Sequence, residues 1–169
     1  MNFTQSLKGR REACHYDEIM GGLVGYPGAK VYGSGNDDLG SFNGGEIPFD
    51  QMKMVLRKAR VFIYAGTYPA QYTLSFVEAL MTGTPVVVAS KKITQAGNFG
   101  GFDFYECDEI IKNGVNGFVC DNVPEMRQAV ESLLADYSLA QQLSEAGRKT
   151  AMELFDRPKI AKQWMEFLG

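Results

Sequence analysis

Cysteine and histidine are scarce in this chain of 169 residues, which has three cysteines and one histidine. Cys14, Cys107 and Cys120 are far apart in the sequence, and His15 stands alone. A structural zinc site needs four such ligands in closely spaced pairs, so none is expected. Separated cysteines in odd number also favour a reducing compartment, and we therefore expect a cytoplasmic protein.

The sequence also lacks long apolar runs and any excess of positive charge. No run approaches the roughly 20 apolar residues that cross a bilayer, and the opening MNFTQSLKGRRE lacks the apolar centre of a signal peptide. The net charge is −3, so nucleic acid is not expected as a binding partner. Hydrophobic residues make up 45% of the chain, which is enough for an ordinary globular core.

Short apolar segments alternate with helical patterns along the chain. The predicted strands are Ala29–Gly33, Arg60–Ala65, Pro85–Ser90 and Gly117–Cys120. The predicted helices are Arg10–Leu23, Gln51–Ala59 with Asp50 as N-cap, Leu74–Thr82 followed by Gly83, Val123–Asp136, Ser138–Glu153 and Lys159–Leu168. This alternation predicts one α/β sandwich with a parallel sheet. The aromatic and Met residues of the last three helices, including Trp164, are interpreted as core.

Ligands of such sheets bind beyond the carboxyl ends of the strands. That rule selects three loops, Gly33–Gly45, Ala65–Thr73 and the irregular, glycine-rich segment Ser90–Tyr105. The glycine-rich GSGNDDLG follows the first clear strand but lacks the G-x-G-x-x-G spacing, so a dinucleotide-binding loop is not predicted. The sequence therefore places its candidate site at this edge, where the helix after Thr73 begins.

The start of that helix is a candidate phosphate site. The first amides, around Thr73, Leu74 and Ser75, have no acceptor within the helix and carry partial positive charge, which suits a phosphate. The alternative is that Thr73 only caps the helix. The basic cluster of Lys8, Arg10 and Arg11 could neutralise a diphosphate, or it could be a solvated helix start.

One carboxylate, Glu78, interrupts the otherwise apolar segment SFVEALMTGTPVVVAS about one turn into the helix. A carboxylate in this place can accept hydrogen bonds from two hydroxyls at once, as the diol of a ribose offers. It could equally pair with a lysine or remain solvated, since buried charges without partners are rare. On the residues alone, the sequence predicts a nucleotide- or phosphate-binding α/β domain.

The segment ARVFIYAGTYPAQYTLSFVEALMTGTPVVVAS resembles the donor-binding half of GT-B-fold glycosyltransferases, and above all the retaining enzymes called glycosyl transferases group 1. That family has the pattern LEAM-x-x-G-x-PVV-A-S, which is matched here at Val77–Met81, Gly83, Pro85–Val87 and Ala89–Ser90. A second segment, DEIIKNGVNGFVCDN, resembles the family pattern E-x-I-x-x-G-x-N-G-F. The resemblance covers most of the chain.

The resemblance implies a Rossmann-like three-layer sandwich with a parallel sheet, equivalent to one half of a GT-B fold. It implies a single donor domain over residues 1–169 of a retaining, metal-independent hexosyltransferase. The domain would bind a nucleoside diphosphate sugar, without a further cofactor, and support glycosyl transfer to an unknown acceptor. The residues implied at the donor are Glu78 at the ribose, Thr73, Leu74 and Ser75 at the diphosphate, Lys8 as its counter-charge and Ile47 at the base.

Two departures from the family pattern stand out. Ala70 occupies the position of the first glutamate of the family's E-x7-E motif, which usually touches the donor sugar. The chain also has no acceptor-binding domain, and its first strand, at MNFTQS, looks short or missing. An excised domain, a minimal protein or a split enzyme with an acceptor-domain subunit would each fit, and no catalytic residue is assigned.

Two other functions remain open on the sequence. The first is a non-catalytic module that binds a nucleotide or a partner protein, which Ala70 and the missing acceptor half favour. The second is a nucleotide-sugar epimerase of the same fold, although the sequence offers few candidate residues for acid–base catalysis. The donor base, the sugar and the acceptor are not predicted, and polysaccharide, lipid carrier, protein and modified DNA all remain possible acceptors.

Overall fold

The structure is a computed structural model that describes residues 1–95 and 104–169. The strands are β1 (Asn2–Phe3), β2 (Val31–Tyr32), β3 (Asn43–Gly45), β4 (Phe62–Tyr64), β5 (Val86–Ala89) and β6 (Phe118–Cys120). The helices are α1 (Tyr16–Leu23), α2 (Phe49–Lys58), α3 (Leu74–Thr82), α4 (Lys91–Thr94), α5 (Cys107–Ile110), α6 (Val123–Ala135), α7 (Tyr137–Phe155) and α8 (Arg157–Leu168). Two 3-10 turns, Arg11–Cys14 and Asp37–Phe42, complete the described elements.

All six strands run parallel, in two three-stranded sheets of order β1-β2-β3 and β4-β5-β6. The two sheets meet where β1 lies beside β4. The amide of Ile63 donates to the carbonyl of Met1 at 2.8 Å, and the side-chain amide of Asn2 donates to the carbonyl of Ile63 at 2.9 Å. The strands therefore follow one another in the spatial order β3-β2-β1-β4-β5-β6.

Helices cover both faces of the β4-β5-β6 sheet, because successive side chains of its strands point in opposite directions. Ile63, Val87 and Ala89 face a core that α1 and α6 close. Phe62 and Val88, with their neighbours on the same face, contact α3 and α5. Long α7 packs against both α3 and α6. This is a Rossmann-like sandwich of three layers, and the predicted fold class is confirmed.

Several predicted helix ends are confirmed. Helix α3 has the predicted bounds, and Gly83 ends it in the left-handed conformation at φ 77°. That conformation is strained for residues with a Cβ atom, which explains the glycine. Helix α6 has Pro124 in its first turn, and the Asn122 side chain accepts a hydrogen bond from the amide of Glu125 as a true N-cap.

Other predicted elements are wrong in part. The helix Arg10–Leu23 is interrupted at His15, whose φ of 51° separates the 3-10 turn from α1. Helix α2 begins earlier than predicted, so Pro48 is the N-cap and Asp50 lies in the first turn. The first strand, which looked short or missing, is present as the two residues of β1. Strand β3 and helix α5 were not predicted.

The last helix is also not core, contrary to the prediction. Helix α8 contributes no buried residue, and Trp164 is 58% exposed. Within the predicted irregular segment Ser90–Tyr105, α4 is helical, and residues 96–103 lie outside the described part of the chain. None of the helices that the structure describes has the length and apolarity to span a bilayer.

Candidate functional site

The residues predicted for the site follow the carboxyl ends of the strands. In a parallel sheet all strands end at the same edge, so the segments after β1, β3 and β4 emerge together. Lys8 follows β1, Ile47 follows β3, and α3 begins after the loop that follows β4. The fold therefore brings the predicted residues to one side of the molecule.

The start of α3 offers two unpaired amides. Thr73 is the N-cap in extended conformation, and its hydroxyl bonds the Ser75 hydroxyl at 2.9 Å instead of an amide. Within the described residues, the amides of Leu74 and Ser75 have no acceptor, whereas the amide of Thr73 donates to the Tyr64 hydroxyl at 2.9 Å. Leu74 is 77% exposed. Leu74 and Ser75 can thus donate to a bound anion, while the Thr73 amide is already engaged.

Glu78 lies one turn further along α3 and is half-buried. Among the described residues its carboxylate has no hydrogen-bond or ion-pair partner. Burial raises the pKa of the Glu78 carboxyl above its ordinary value, and the positive charge of Lys53 on α2 offsets only part of this rise. Lys53 itself pairs with Asp50 at 3.9 Å. The carboxylate is therefore desolvated and has accepting capacity to spare.

Lys8 is held by an acidic residue of the neighbouring loop. Its ammonium lies 3.7 Å from the carboxylate of Asp38, and both side chains are about half exposed. An exposed pair of this kind is weak and can open for a stronger anion. Arg11 of the same basic cluster pairs with Asp17 on α1. A positive charge thus stands at the site edge, at present shared with Asp38.

Ile47 borders a cavity of about 220 Å³ at the same edge. The cavity is lined by Phe3, Thr4, Gln5, Tyr32, Gly33, Ser34, Glu46, Ile47 and Met52. The rings of Phe3 and Tyr32 stack on each other, with centroids 5.1 Å apart. Helix α2, which follows Ile47, packs against α3 and carries the Lys53 that faces Glu78. Ile47 and Glu78 therefore belong to adjoining parts of the site.

Ala70 lies in the loop between β4 and α3, and its methyl group offers no polar contact. Its amide donates to the carbonyl of Thr67 at 2.7 Å, which closes a tight turn. The loop borders a cavity of only about 30 Å³ with Tyr105 and His15. The position that the family pattern gives to a glutamate is thus occupied by a small apolar side chain beside a small cavity.

The glycine-rich loop after β2 has a structural role that the sequence did not reveal. Asn36, 1% exposed, accepts from the amide of Leu7 at 2.9 Å and donates to the carbonyls of Thr4 and Gly33. Gly35 has φ 71°, and a Cβ atom there would lie 2.3 Å from the Ser6 hydroxyl. The Asn that follows two closely spaced glycines was the available signal. These contacts fix the segment that carries Lys8.

Cys14, Cys107 and Cys120 are free and buried, and burial raises the pKa of the Cys120 thiol to about 12. The described residues contain no group of three or more His, Cys, Asp or Glu side chains that could hold a metal ion.

Part of the chain is similar in sequence to a protein of known activity. No protein-family model matches the chain. The chain is 32% identical over 96 residues to the poly(glycerol-phosphate) alpha-glucosyltransferase of Bacillus subtilis. That alignment covers 55% of this chain and 12% of the relative. The match is too partial to establish a family on its own.

Solved structures cover far more of the chain. HepE of Anabaena, solved in complex with UDP and glucose, superposes on 99% of this chain with a TM-score of 0.73 and 19% identity. The chain has the fold of one half of a GT-B glycosyltransferase. This GT-B half covers 47% of HepE. It also covers 84% of the C-terminal domain of a glycosyl transferase group 1 family protein, LpcC of Francisella tularensis, with a TM-score of 0.59 and 16% identity.

The predicted resemblance is therefore confirmed at the level of the fold. The GT-B half spans about half the length of HepE and a much smaller part of the Bacillus relative. The roles predicted for Glu78, Thr73, Leu74, Ser75, Lys8 and Ile47 stay predictions.

Proposed function

We propose that this GT-B half is the donor domain of a glycosyltransferase and that it binds a UDP-sugar. Two similarities support UDP as the nucleotide. HepE was solved with UDP and, in a second complex, with UDP-glucose. The Bacillus relative is an alpha-glucosyltransferase, which favours transfer of a hexosyl group. Since the chain spans only part of these proteins, the acceptor-binding half would be supplied by another domain or subunit.

In this proposal α3 holds the nucleotide at two points. The free amides of Leu74 and Ser75 donate to the diphosphate, and the positive end of the helix favours its negative charge. Glu78, one turn away, accepts hydrogen bonds from the ribose hydroxyls. Lys8 exchanges Asp38 for the diphosphate, and Ile47 lies against the base.

The proposed reaction breaks the bond between the anomeric carbon of the sugar and the diphosphate oxygen. The anomeric carbon forms its new bond to the oxygen of an acceptor hydroxyl with retention of configuration. The electron pair of the broken bond stays on the diphosphate, and the proton of the hydroxyl passes to this leaving group. The contribution of this domain is to position the donor and to stabilise the negative charge that develops on the leaving diphosphate. No metal ion or further cofactor is proposed, because the amides and Lys8 supply the counter-charge.

The proposal rests above all on the environment of the Glu78 carboxylate. This carboxylate is half-buried and has no hydrogen-bond or ion-pair partner among residues 1–95 and 104–169, and such a group is costly to keep. Glu78 lies on the same helix as the amides of Leu74 and Ser75, about one helical turn, or roughly 5 Å along the axis, beyond them. One ligand, a nucleoside diphosphate, would satisfy both features.

The alternative is a non-catalytic module that binds the nucleotide, or a partner protein, without sugar transfer. Ala70 favours it, because the side chain offers no hydrogen bond to a donor sugar. Under this alternative UDP and UDP-glucose bind with equal affinity, and no sugar is released or transferred.

Calorimetric titration with UDP, GDP, ADP and UMP tests the proposal. We expect UDP to bind about tenfold or more tightly than UMP, because the second phosphate meets the amides and Lys8. EDTA should leave the UDP affinity unchanged. Equal binding of UDP and UMP, or no binding of any nucleotide, would refute the donor-domain assignment.

A further inference from the structure

The hydroxyl of Tyr64 connects the end of β4 directly to the start of α3. Tyr64 is the last residue of β4 and is 3% exposed. Its hydroxyl oxygen accepts a hydrogen bond from the amide of Thr73, with the two atoms 2.9 Å apart. The eight-residue loop from Ala65 to Tyr72 leaves the sheet and returns between these two points. The bond closes the base of this loop.

The ring of Tyr64 cannot easily move. It lies in a stack of aromatic rings, with its centroid 5.3 Å from that of Phe76 on α3 and 6.4 Å from that of Tyr105. Phe62, two residues earlier on the same face of β4, lies 6.3 Å away. Packing of this density fixes the direction of the phenol oxygen. The strand, rather than the loop, therefore determines where Thr73 lies.

Packing alone does not explain a hydroxyl at this position. A phenylalanine would fill the same apolar space, and burying a phenol oxygen costs free energy unless it is hydrogen-bonded. Burial also raises the pKa of the Tyr64 hydroxyl far above its ordinary value, so the group stays neutral. The one amide that it accepts from belongs to the N-cap of α3, immediately before the two free amides of Leu74 and Ser75.

We propose that Tyr64 is a positioning residue that aims the free amides of α3 at the diphosphate of the bound nucleotide. The inference rests on the proposed function and names a residue that holds the site without touching the ligand. Because the Thr73 amide is engaged with Tyr64, Thr73 contributes to the site through its backbone position. The phosphate-binding donors are then Leu74 and Ser75.

The test compares two tyrosine variants of the same ring stack. Tyr64→Phe removes the oxygen that accepts from Thr73. The matched control is Tyr105→Phe. It removes another buried hydroxyl, which makes no hydrogen bond to α3 in the described structure. Amide hydrogen exchange by NMR and calorimetric titration with UDP are measured for both variants and for the wild type.

We expect Tyr64→Phe to speed exchange of the Thr73 amide and to raise the Kd for UDP about fivefold, the effect of one lost hydrogen bond. Tyr105→Phe should change neither quantity. If Tyr64→Phe binds UDP as tightly as the wild type does, or leaves the Thr73 exchange rate unchanged, the positioning role is wrong. If the wild type itself fails to bind UDP, the proposed function fails and this inference fails with it.

Discussion

Glu78 is a residue whose position costs folding free energy. Its carboxyl is half-buried, and burial outweighs the attraction of Lys53, so its pKa in the folded protein is raised. A group with a raised folded pKa holds its proton longer in the folded than in the unfolded chain. The associated stability is present at low pH and is lost as the pH rises through the folded pKa. At neutral pH the protein therefore carries a charge that folding disfavours.

Replacing this carboxylate by an amide should separate stability from binding. We expect Glu78→Gln to melt about one degree higher than the wild type at pH 7, a small gain because solvent still screens the group. At pH 4, where the wild-type carboxyl is largely protonated, the two proteins should melt together. Thermal unfolding followed by circular dichroism measures both values. If Glu78→Gln instead melts below the wild type at pH 7 but not at pH 4, the Glu78 carboxylate has a stabilising partner.

At the scale of single elements, the end of α3 requires a glycine. Gly83 has φ 77°, and a Cβ atom there would lie 2.9 Å from the Ser144 hydroxyl on α7. That hydroxyl donates to the carbonyl of Gly83, so the turn is held against its neighbouring helix. Both backbone strain and this close contact oppose any larger residue. The turn leads into β5, whose far end reaches the ligand edge.

A pair of glycine variants distinguishes these two effects. Gly83→Ala should destabilise the protein by about 2 kcal/mol, from the left-handed backbone and the contact with Ser144 together. Gly114→Ala has the same backbone strain at φ 72° but open space around it, so about 1 kcal/mol is expected. Urea denaturation gives both free energies of unfolding. Equal losses in the two variants would mean that Ser144 yields without cost.

The elements that the sequence predicted well have strong local signals. Helix α3 and strand β5 combine an apolar run, a glycine in the left-handed conformation and a proline, and each signal acts within a few residues. Strand β3 contains Asn43, Gly44 and Gly45, which have low strand propensity. It is a strand because β2 lies beside it, and no local pattern records that pairing. The break at His15 has only a weak signal in residue type: His is among the non-glycine residues enriched at positive φ, but most His residues have negative φ.

Among the residues of the candidate site, too, some have a local sequence signal and others do not. Glu78 was recognisable because a charge inside an apolar run is unusual. Tyr64 gave no such signal, and the two glycines before Asn36 gave only a weak one, because the partners of these side chains are the backbone amides of Thr73 and Leu7, nine and 29 residues away. Side-chain bonds to distant backbone depend on how the loops meet. Such bonds become visible only in three dimensions.

At the scale of the whole molecule, the junction of the two sheets depends on few contacts. Strand β1 has two residues, and Asn2, which is fully buried, donates through its side chain to the carbonyl of Ile63 on β4. The side-chain oxygen of Asn2 also accepts a hydrogen bond from the Thr4 hydroxyl at 2.7 Å. A buried amide that satisfies groups on both sides holds the strands together. The segment that carries Lys8 begins at this junction.

Removing that amide should weaken the whole domain. Asn2→Ala leaves buried polar groups unpaired, and we expect a loss of about 2 kcal/mol in the free energy of unfolding. Asn113→Ala, which removes an exposed side chain that accepts from the amide of Val119, should cost less than about 1 kcal/mol. Chemical denaturation measures both. A small effect of Asn2→Ala would mean that the backbone bond from Ile63 to Met1 suffices at the junction.

Helix α8 illustrates what sequence patterns leave open at this scale. Its Met and aromatic residues, Trp164, Met165 and Phe167, were predicted to be core, yet all three are exposed, as is Leu168. Helical spacing records which residues share a face of a helix. It does not record whether another part of the same chain covers that face.

We propose above all that Glu78 holds the ribose of a nucleoside diphosphate. A double-mutant cycle with UDP and 2′-deoxy-UDP, titrated into the wild type and Glu78→Gln, tests it most directly. We expect the wild type to bind UDP about tenfold more tightly than 2′-deoxy-UDP, the value of a hydrogen bond to a charged acceptor, and this preference to fall to about threefold in the variant, whose amide oxygen is a neutral acceptor. Equal affinities in the wild type, or an undiminished preference for UDP in Glu78→Gln, would contradict the assignment.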